Sequence, residues 1–275
     1  MRILFVGDVV GRAGRAALID RLPGLRVGLA LDAVVVNGEN AAGGYGLTAT
    51  IANEFFAVGV DVITMGNHVW DQRELVGHID REPRIVRPLN LPPGTPGRGL
   101  AEVTTARGHK LVVAQVLGRL FMGLADDPFR ALDQELKRYV LGGTAQAILV
   151  DVHAEATSEK VALGHFLDGR VSLVAGTHTH VPTADARVLP GGTAFVSDVG
   201  MTGDYDSVIG MDKGGSVQRW RGGVPGPRLE PAAGVATLCA VYVETDDRTG
   251  RARRVEAVRL GGSLAGAMPA DPSLS

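Results

Sequence analysis

The 275-residue chain is long enough to bury a sizeable hydrophobic core. Hydrophobic residues make up 45% and charged residues 21%, and the formal net charge of -2 excludes the global basic field of many nucleic-acid-binding proteins. No apolar run approaches the ~18 residues of a membrane span, and Asp8 interrupts the first apolar run, unlike in a signal peptide. We therefore expect a cytoplasmic protein with no membrane segment and no stable nucleic-acid partner, and we expect its single cysteine, Cys239, to be a buried thiol.

The first third of the chain alternates between short apolar runs and helical patterns. Strands are predicted over residues 2–7, 33–38 and 61–66. Helices are predicted over residues 13–22, 48–59 and 71–80. This alternation is typical of βαβ units around a parallel inner sheet, and it indicates an α/β protein.

The rest of the chain has a more mixed pattern. Strands are predicted over residues 110–118, 147–153, 172–176, 193–200 and 234–245. A helix is predicted over residues 127–140, with Pro128 near its start, where proline is tolerated. Residues 89–99 are rich in proline and glycine, which indicates a loop. Residues 201–228 have no strong hydrophobic period, and we expect a long ordered loop or lid there. We expect one domain over residues 1–260 and a flexible tail over residues 261–275.

Five of the strand-like segments each deliver polar side chains at their carboxyl ends. These are Asp8, Glu39 with Asn40, Asn67 with His68, His153, and His178 with His180. In open α/β sheets, ligands bind at that edge. Each residue alone also has a structural explanation, such as a helix cap for Asp8, a turn for Asn40 or a core position for His153. Their coincidence at one edge favours a functional site.

The donor types in this set indicate metal binding. His178 and His180 stand one residue apart just past a strand end, so both rings can point to the same side. Neutral imidazole is the commonest protein metal ligand, and mixed oxygen and nitrogen donors without thiolate suit Mn, Fe or Zn. The set is too large for one tetrahedral ion. Two ions about 3.5–4 Å apart would use all of it and would clamp a phosphoryl displacement.

The motifs that contain these residues resemble those of the calcineurin-like metallophosphoesterases. "NGEN", "GNHVWD", "DVH" and "GTHTH" carry the likeness, together with Asp8, over roughly the first 200 residues. Val10 stands where that family has a histidine ligand, and Glu39 stands where its bridging aspartate lies. These departures, with "DVHAEATSEK" and "MTGDYDSVIGM", resemble the YmdB-like branch of bacterial phosphodiesterases across nearly the whole chain. The resemblance implies a four-layer α/β/β/α sandwich of two mixed sheets flanked by helices.

The resemblance also implies roles for the site residues. Two groups of ligands share Glu39 as a bridge: Asp8, Glu39, Asn40 and His180 for one ion, and Glu39, Asn67, His153 and His178 for the other. Asn40 would replace the nitrogen ligand that Val10 cannot supply. His68 lies outside both groups and is similar to the family's general acid for the leaving oxygen. The implied cofactors are two transition-metal ions, iron in the first place, with manganese or zinc as alternatives.

The implied reaction is hydrolysis of 2′,3′-cyclic nucleotides, such as 2′,3′-cAMP, to 3′-nucleotides, with a hydroxide bridging the two ions as the nucleophile. A phosphomonoesterase or 5′-nucleotidase using the same metals is one alternative. A metal-binding regulatory protein with weak catalysis is another, although a purely structural metal site has no need of an acid such as His68. The expected partner is a small cyclic nucleotide, and a homo-oligomer stays open.

Overall fold

The computed structural model describes residues 1–222 and 228–270. Within these ranges, two sheets pack face to face. The first sheet contains β1 (Arg2–Val6), β2 (Ala33–Asn37), β3 (Val62–Thr64), β4 (Ile85–Val86), β11 (Gly203–Asp204), β12 (Ala236–Thr245) and β13 (Ala252–Leu260). The second sheet contains β5 (Leu100–Thr104), β6 (Lys110–Leu117), β7 (Ala147–His153), β8 (Leu173–Thr177), β9 (Arg187–Val188) and β10 (Ala194–Val196).

Helices flank the two sheets. Those in the described ranges are α1 (Gly11–Gly28), α2 (Ala49–Ala57), α3 (Arg73–His78), α4 (Pro128–Leu136), α5 (Thr157–Phe166) and α6 (Lys213–Gly222). Capping residues in the sequence explain where two of the helices start. The side chain of Thr48 accepts a hydrogen bond from the N–H of Ile51 at the start of α2, and Asp127 caps the start of α4 in a similar way.

Both sheets are mixed, with a parallel centre. The first has the order β11-β12-β1-β2-β3-β4, in which β1 to β4 are parallel, β12 runs antiparallel to β1, and β13 pairs with β12. The second has the order β5-β6-β7-β8-β10-β9, in which β6, β7, β8 and β10 are parallel and both edge strands are antiparallel. Because these strands are parallel, the carboxyl ends of several strands lie at the same end of each sheet.

Side-chain alternation along the strands builds three hydrophobic layers. In β1, Leu4 and Val6 pack against the helices that cover the first sheet, whereas Ile3 and Phe5 pack between the two sheets. The third layer lies between the second sheet and the helices α4 and α5. This arrangement confirms the predicted four-layer α/β/β/α sandwich, and it matches the predicted strands of the first third of the chain.

Three helical segments differ from the sequence-based predictions. Helix α1 continues through Pro23 to Gly28, because Leu22 and Leu25 on either side of the proline are both buried, and their packing outweighs the lost hydrogen bond. Helix α5 was not predicted. The region predicted as a loop or lid contains β11 and α6, whose glycine-rich and mostly polar sequence gives no helical period. Residues 223–227 of that region lie outside the described residues.

The remaining expectations concern the tail, the thiol and the membrane. The structure describes the expected flexible tail as far as residue 270, and residues 271–275 lie outside the described residues. Within the described part of the tail, Ala267 forms an antiparallel bridge with Arg259. Cys239 is buried and free, as predicted. Among the described helices, none combines the length and the apolar character needed to cross a bilayer.

Candidate metal centre

All eight predicted site residues lie at the edge where the carboxyl ends of the parallel strands of both sheets meet. Asp8, Glu39, Asn40, Asn67 and His68 follow β1, β2 and β3 of the first sheet. His153 ends β7, and His178 and His180 follow β8, in the second sheet. Residues that lie up to 170 positions apart in the chain, such as Asp8 and His178, are in hydrogen-bond contact. The sandwich therefore joins the polar ends of two sheets in one cluster.

One group of donor atoms surrounds the ring of His153. Its Nε2 lies 3.1 Å from Glu39 Oε1, 2.9 Å from Asn67 Oδ1 and 3.1 Å from His178 Nδ1. Ligand atoms of Glu39, His153 and His178 all lie within 4.8 Å of one another. These four residues are the ones that the resemblance assigns to a single ion.

A second group of donor atoms lies around His180. Its Nε2 lies 3.3 Å from Asn40 Oδ1 and 3.9 Å from Asp8 Oδ1. Asp8 also connects this group to the first, because its Oδ1 lies 3.9 Å from His153 Nδ1 and its carboxylate accepts a hydrogen bond from the N–H of His178. The amide nitrogen of Asn40 donates to Gly44 O, which leaves Asn40 Oδ1 facing the cluster.

Hydrogen bonds behind two of the histidines fix which ring nitrogen faces the cluster. The hydroxyl of Thr177 donates to Asp151 Oδ1 at 2.7 Å, so it accepts from His153 Nδ1 at 2.9 Å. His180 Nδ1 donates to Ile209 O at 2.8 Å. Nε2 is therefore the nitrogen that faces Glu39, Asn67 and His178 in His153, and Asn40 and Asp8 in His180. Metal-binding histidines have this arrangement, with the second nitrogen hydrogen-bonded. Neither Thr177 nor Asp151 was singled out from the sequence, although Asp151 lies in the quoted "DVH" motif.

Burial and mutual contact set the charges of the cluster. Burial raises the pKa of Asp8 to about 6. Burial would also raise the pKa of Glu39, but contact with the His153 ring outweighs it and lowers that pKa to about 2. Burial opposes protonation of His153, yet Glu39 outweighs it and raises the pKa of His153 to about 9. Burial and the neighbouring His153 lower the pKa of His178 to about 3. The carboxylates of Asp8 and Glu39 are both fully buried, and a nearby positive charge would stabilise their ionised forms.

The backbone is shaped to the cluster. A Cβ at position 66 would overlap Glu39 Oε2 and would lie 2.6 Å from His153 Nε2, so only glycine leaves both side chains in place. His178 and His180 have φ values of 94° and 65°, which are uncommon for residues with side chains and cluster at functional sites.

The donors are carboxylate, amide and imidazole, and they fit Mn, Fe or Zn.

His68 lies beside the cluster rather than within it. Its backbone N–H donates to Glu39 Oε2 at 3.0 Å, while its ring Nδ1 lies 2.9 Å from Asp71 Oδ2. The ring of Tyr45 meets the His68 ring edge to face, with the centroids 5.3 Å apart. Asp71 was not assigned a role from the sequence, although it stands three residues after His68 in "GNHVWD". The pairing leaves His68 Nε2 as the ring nitrogen available to a ligand.

A pocket of about 580 Å³ opens over the cluster. Tyr45 and His68 line it together with the exposed ends of the donor groups, and Arg219 and Trp220 of α6 also line it. Glu155 contributes a half-exposed carboxylate, whose Oε2 lies 3.3 Å from His178 Nε2. The volume is in the range of sites that hold a small organic ligand.

Comparison with known proteins gives matches along almost the whole chain. A family model described as YmdB-like protein matches residues 4–258. The 2′,3′-cyclic-nucleotide 2′-phosphodiesterase of Bacillus subtilis (strain 168) is 46% identical over 258 residues, which cover 94% of this chain and 96% of that protein.

Two crystal structures are also similar. That of a hypothetical protein from Thermus thermophilus has a TM-score of 0.89 at 44% identity and covers 96% of this chain and 100% of that one. That of a novel phosphatase from Mycoplasma pneumoniae has a TM-score of 0.88 at 34% identity and covers 95% and 93%. These matches confirm the prediction of an enzyme that hydrolyses phosphoric esters. On the family match and these identities together, the chain belongs to the YmdB-like protein family.

Proposed function

We propose that this chain is a two-metal phosphodiesterase that hydrolyses 2′,3′-cyclic nucleotides to 3′-nucleotides. The observation that carries the proposal is the convergence of two donor groups, linked through Asp8, at the base of a pocket that also presents His68. The name of the Bacillus subtilis relative supports the substrate, since that protein is a 2′,3′-cyclic-nucleotide 2′-phosphodiesterase and covers nearly the whole chain.

The proposed metal ligands follow the two donor groups. Glu39 would be shared, and the full assignment is Asp8, Glu39, Asn40 and His180 for one ion and Glu39, Asn67, His153 and His178 for the other. When bound, a pair of transition-metal ions neutralises charge on the phosphate and lowers the pKa of water. Iron is the first candidate, and manganese and zinc are the alternatives, because the donors are oxygen and nitrogen without thiolate.

His68 and Asp71 are the residues proposed to handle the leaving group. Hydrolysis forms a bond between a water oxygen and phosphorus and breaks the bond between phosphorus and the ribose O2′, so that the phosphate stays on O3′. His68 Nε2 donates a proton to O2′ as that bond breaks. Asp71 accepts from His68 Nδ1 at 2.9 Å and holds the ring at the angle that directs Nε2 towards the pocket.

The outer part of the pocket suits a nucleoside. Tyr45 stands beside His68, and Trp220 of α6 lines the same pocket with 84% of its surface exposed. Aromatic side chains stack on nucleobases, and each such stack contributes about 1–3 kcal/mol. In a 2′,3′-cyclic nucleotide the base is attached to the ribose that carries the reacting phosphate, so the base of a substrate whose phosphate lies at the donor cluster would share the pocket with Trp220.

The alternative of a phosphomonoesterase or 5′-nucleotidase differs from the diesterase in the charge of its substrate. A phosphomonoester carries about two negative charges at neutral pH, whereas a cyclic diester carries one. Glu155 and Arg219 place opposite charges at the pocket, so the name of the Bacillus subtilis relative, rather than the charge of the pocket, supports the diester.

The test is a comparison of kcat/KM on Mn²⁺-loaded enzyme with 2′,3′-cAMP, 5′-AMP and 3′,5′-cAMP, with the products separated by chromatography. We expect the highest value for 2′,3′-cAMP and 3′-AMP as the sole product. Trp220→Ala should raise KM for 2′,3′-cAMP more than KM for a base-free methyl riboside 2,3-cyclic phosphate. Faster hydrolysis of 5′-AMP would support the monoesterase instead, and formation of 2′-AMP would contradict the assignment of O2′ as the leaving oxygen.

A further inference from the structure

The segment that carries His178 and His180 is held in an unfavourable backbone conformation. Both histidines have positive φ, 94° and 65°, which is unfavourable for residues with a side chain. Such conformations persist only where surrounding contacts enforce them. Thr179, which lies between the two histidines, is the residue at which those contacts are concentrated.

Thr179 is held by the carboxylate of Asp198. Its N–H and its hydroxyl both donate to Asp198 Oδ2, at 3.1 Å and 2.7 Å. The other carboxylate oxygen accepts the N–H of Gly200 at 2.8 Å. Asp198 lies two residues after β10, the neighbour of β8 in the second sheet. One carboxylate therefore ties the histidine segment to the segment that follows the adjacent strand.

Lys160 of α5 completes this contact from the outer face of the sheet. Its Nζ donates to Asp198 Oδ2 at 2.8 Å, and both side chains are fully buried. Gly176 permits the close approach of the neighbouring strand end, because a Cβ there would overlap Ser197 O and would lie 2.9 Å from Lys160 Cδ. A buried ion pair contributes little net stability after its desolvation cost, although removal of one partner leaves an uncompensated charge. Stability alone therefore does not account for this pair.

We propose that Lys160 and Asp198 are positioning residues for the metal centre, and that their buried ion pair sets the orientation of His178 and His180 through Thr179. The inference rests on the proposed metal centre. Neither Lys160 nor Asp198 is among the described residues that line the pocket, and the hydrogen bonds of Asp198 reach the histidine segment at Thr179. His178 belongs to one donor group and His180 to the other, so the pair controls the geometry around both ions. It also gives a role to the lysine that ends "DVHAEATSEK".

The variant that tests the proposal is the double substitution Lys160→Met with Asp198→Asn. It removes both charges together, so that neither is left buried alone, and it keeps the shapes of the side chains. The matched control is Asp61→Asn, which also converts a carboxylate that accepts from a backbone N–H, that of Val34, and pairs with a cation, Arg26 at 2.9 Å. Asp61 precedes β3 and lies at the opposite edge of the sheet from the donor cluster.

The measurement is the affinity of metal-stripped protein for Mn²⁺ by titration calorimetry, with the EPR spectrum of the bound Mn²⁺ and the melting temperature. We expect the double variant to bind Mn²⁺ about 10–100-fold more weakly than wild type, the usual effect of losing a group that orients metal ligands. Its EPR spectrum should lose the signature of a spin-coupled pair. The control should keep both properties of the wild type even where its melting temperature falls.

Thr179→Ala is the milder variant, because it removes only the hydroxyl contact with Asp198. It should weaken Mn²⁺ binding in the same direction by a smaller factor, and it decides the question if the double variant does not fold. Wild-type Mn²⁺ affinity and a wild-type EPR spectrum in a folded variant would overturn the positioning role while leaving the proposed metal centre intact. A wild-type protein that binds no Mn²⁺ would overturn both.

Discussion

Replacing His68 with asparagine should separate proton donation from metal binding. The His68 ring belongs to neither donor group, and its contact with Glu39 uses the backbone N–H, which asparagine retains. Both metal ions should therefore stay bound. Loss of a general acid usually lowers the rate by about 10²–10⁴, which corresponds to about 3–5 kcal/mol of transition-state free energy. We expect a fall of this size in kcat for 2′,3′-cAMP, whose O2′ leaves as an alkoxide.

Asp71→Asn should give a smaller loss in the same direction. The Nδ1–Oδ2 bond is 2.9 Å long, and the side chains of His68 and Asp71 are 27% and 38% exposed. A charged hydrogen bond contributes about 1.5–3 kcal/mol when buried, and solvent screening at this exposure reduces that to about 1–1.5 kcal/mol. The expected fall in kcat is therefore about five- to tenfold, with unchanged metal content.

The assay compares 2′,3′-cAMP with bis(p-nitrophenyl) phosphate, alongside metal analysis of each variant. Nitrophenolate departs without a proton, so His68→Asn should lower kcat for the nitrophenyl diester much less than for the nucleotide. An equal loss on both substrates would show that His68 binds phosphate and would refute its role as an acid. Loss of metal from the variant would make it a ligand.

The other predictions concern the donor groups. Glu39→Ala should lower the content of both metals as well as activity, because the proposed assignment gives this one carboxylate to both ions, and a variant that keeps two metals per chain would exclude a bridge. Val10→His should partly restore the activity lost in Asn40→Ala if Asn40 replaces the family's histidine; an additive loss in the double variant would contradict this compensation. Gly66→Ala should weaken Mn²⁺ binding at least about tenfold, since the new Cβ would overlap Glu39 Oε2, and unchanged calorimetric affinity with an unchanged circular dichroism spectrum would be inconsistent with this clash.

Local patterns in the sequence determined the elements that deliver the site. Short apolar runs bounded by glycine predicted β1, β2 and β3, because buried parallel strands are apolar on both faces. The same pattern placed Asp8, Glu39 and Asn67 just past those strands, since the side chain that follows a strand end is read directly from the order of residues. The motifs around these positions added the family and, through it, the layered fold.

Only the tertiary structure decided which donors face one another and what holds them. The pairing of His180 with Asn40 and of His153 with Asn67 depends on how two sheets pack, and the paired residues lie 140 and 86 positions apart. No local pattern records such distances. The structure likewise placed the unpredicted helix α5 against the second sheet, with its buried lysine on Asp198.

Helix α6 is a second element that the sequence did not predict. Its sequence, "KGGSVQRWRG", carries three glycines and no amphipathic stripe, so periodicity gives no signal for a helix. Its contacts place Trp220 at the pocket. Sequence by itself determines the chemical groups and their strand-end positions because both are local properties, whereas convergence of the groups on one point depends on long-range packing, which the tertiary fold alone supplies.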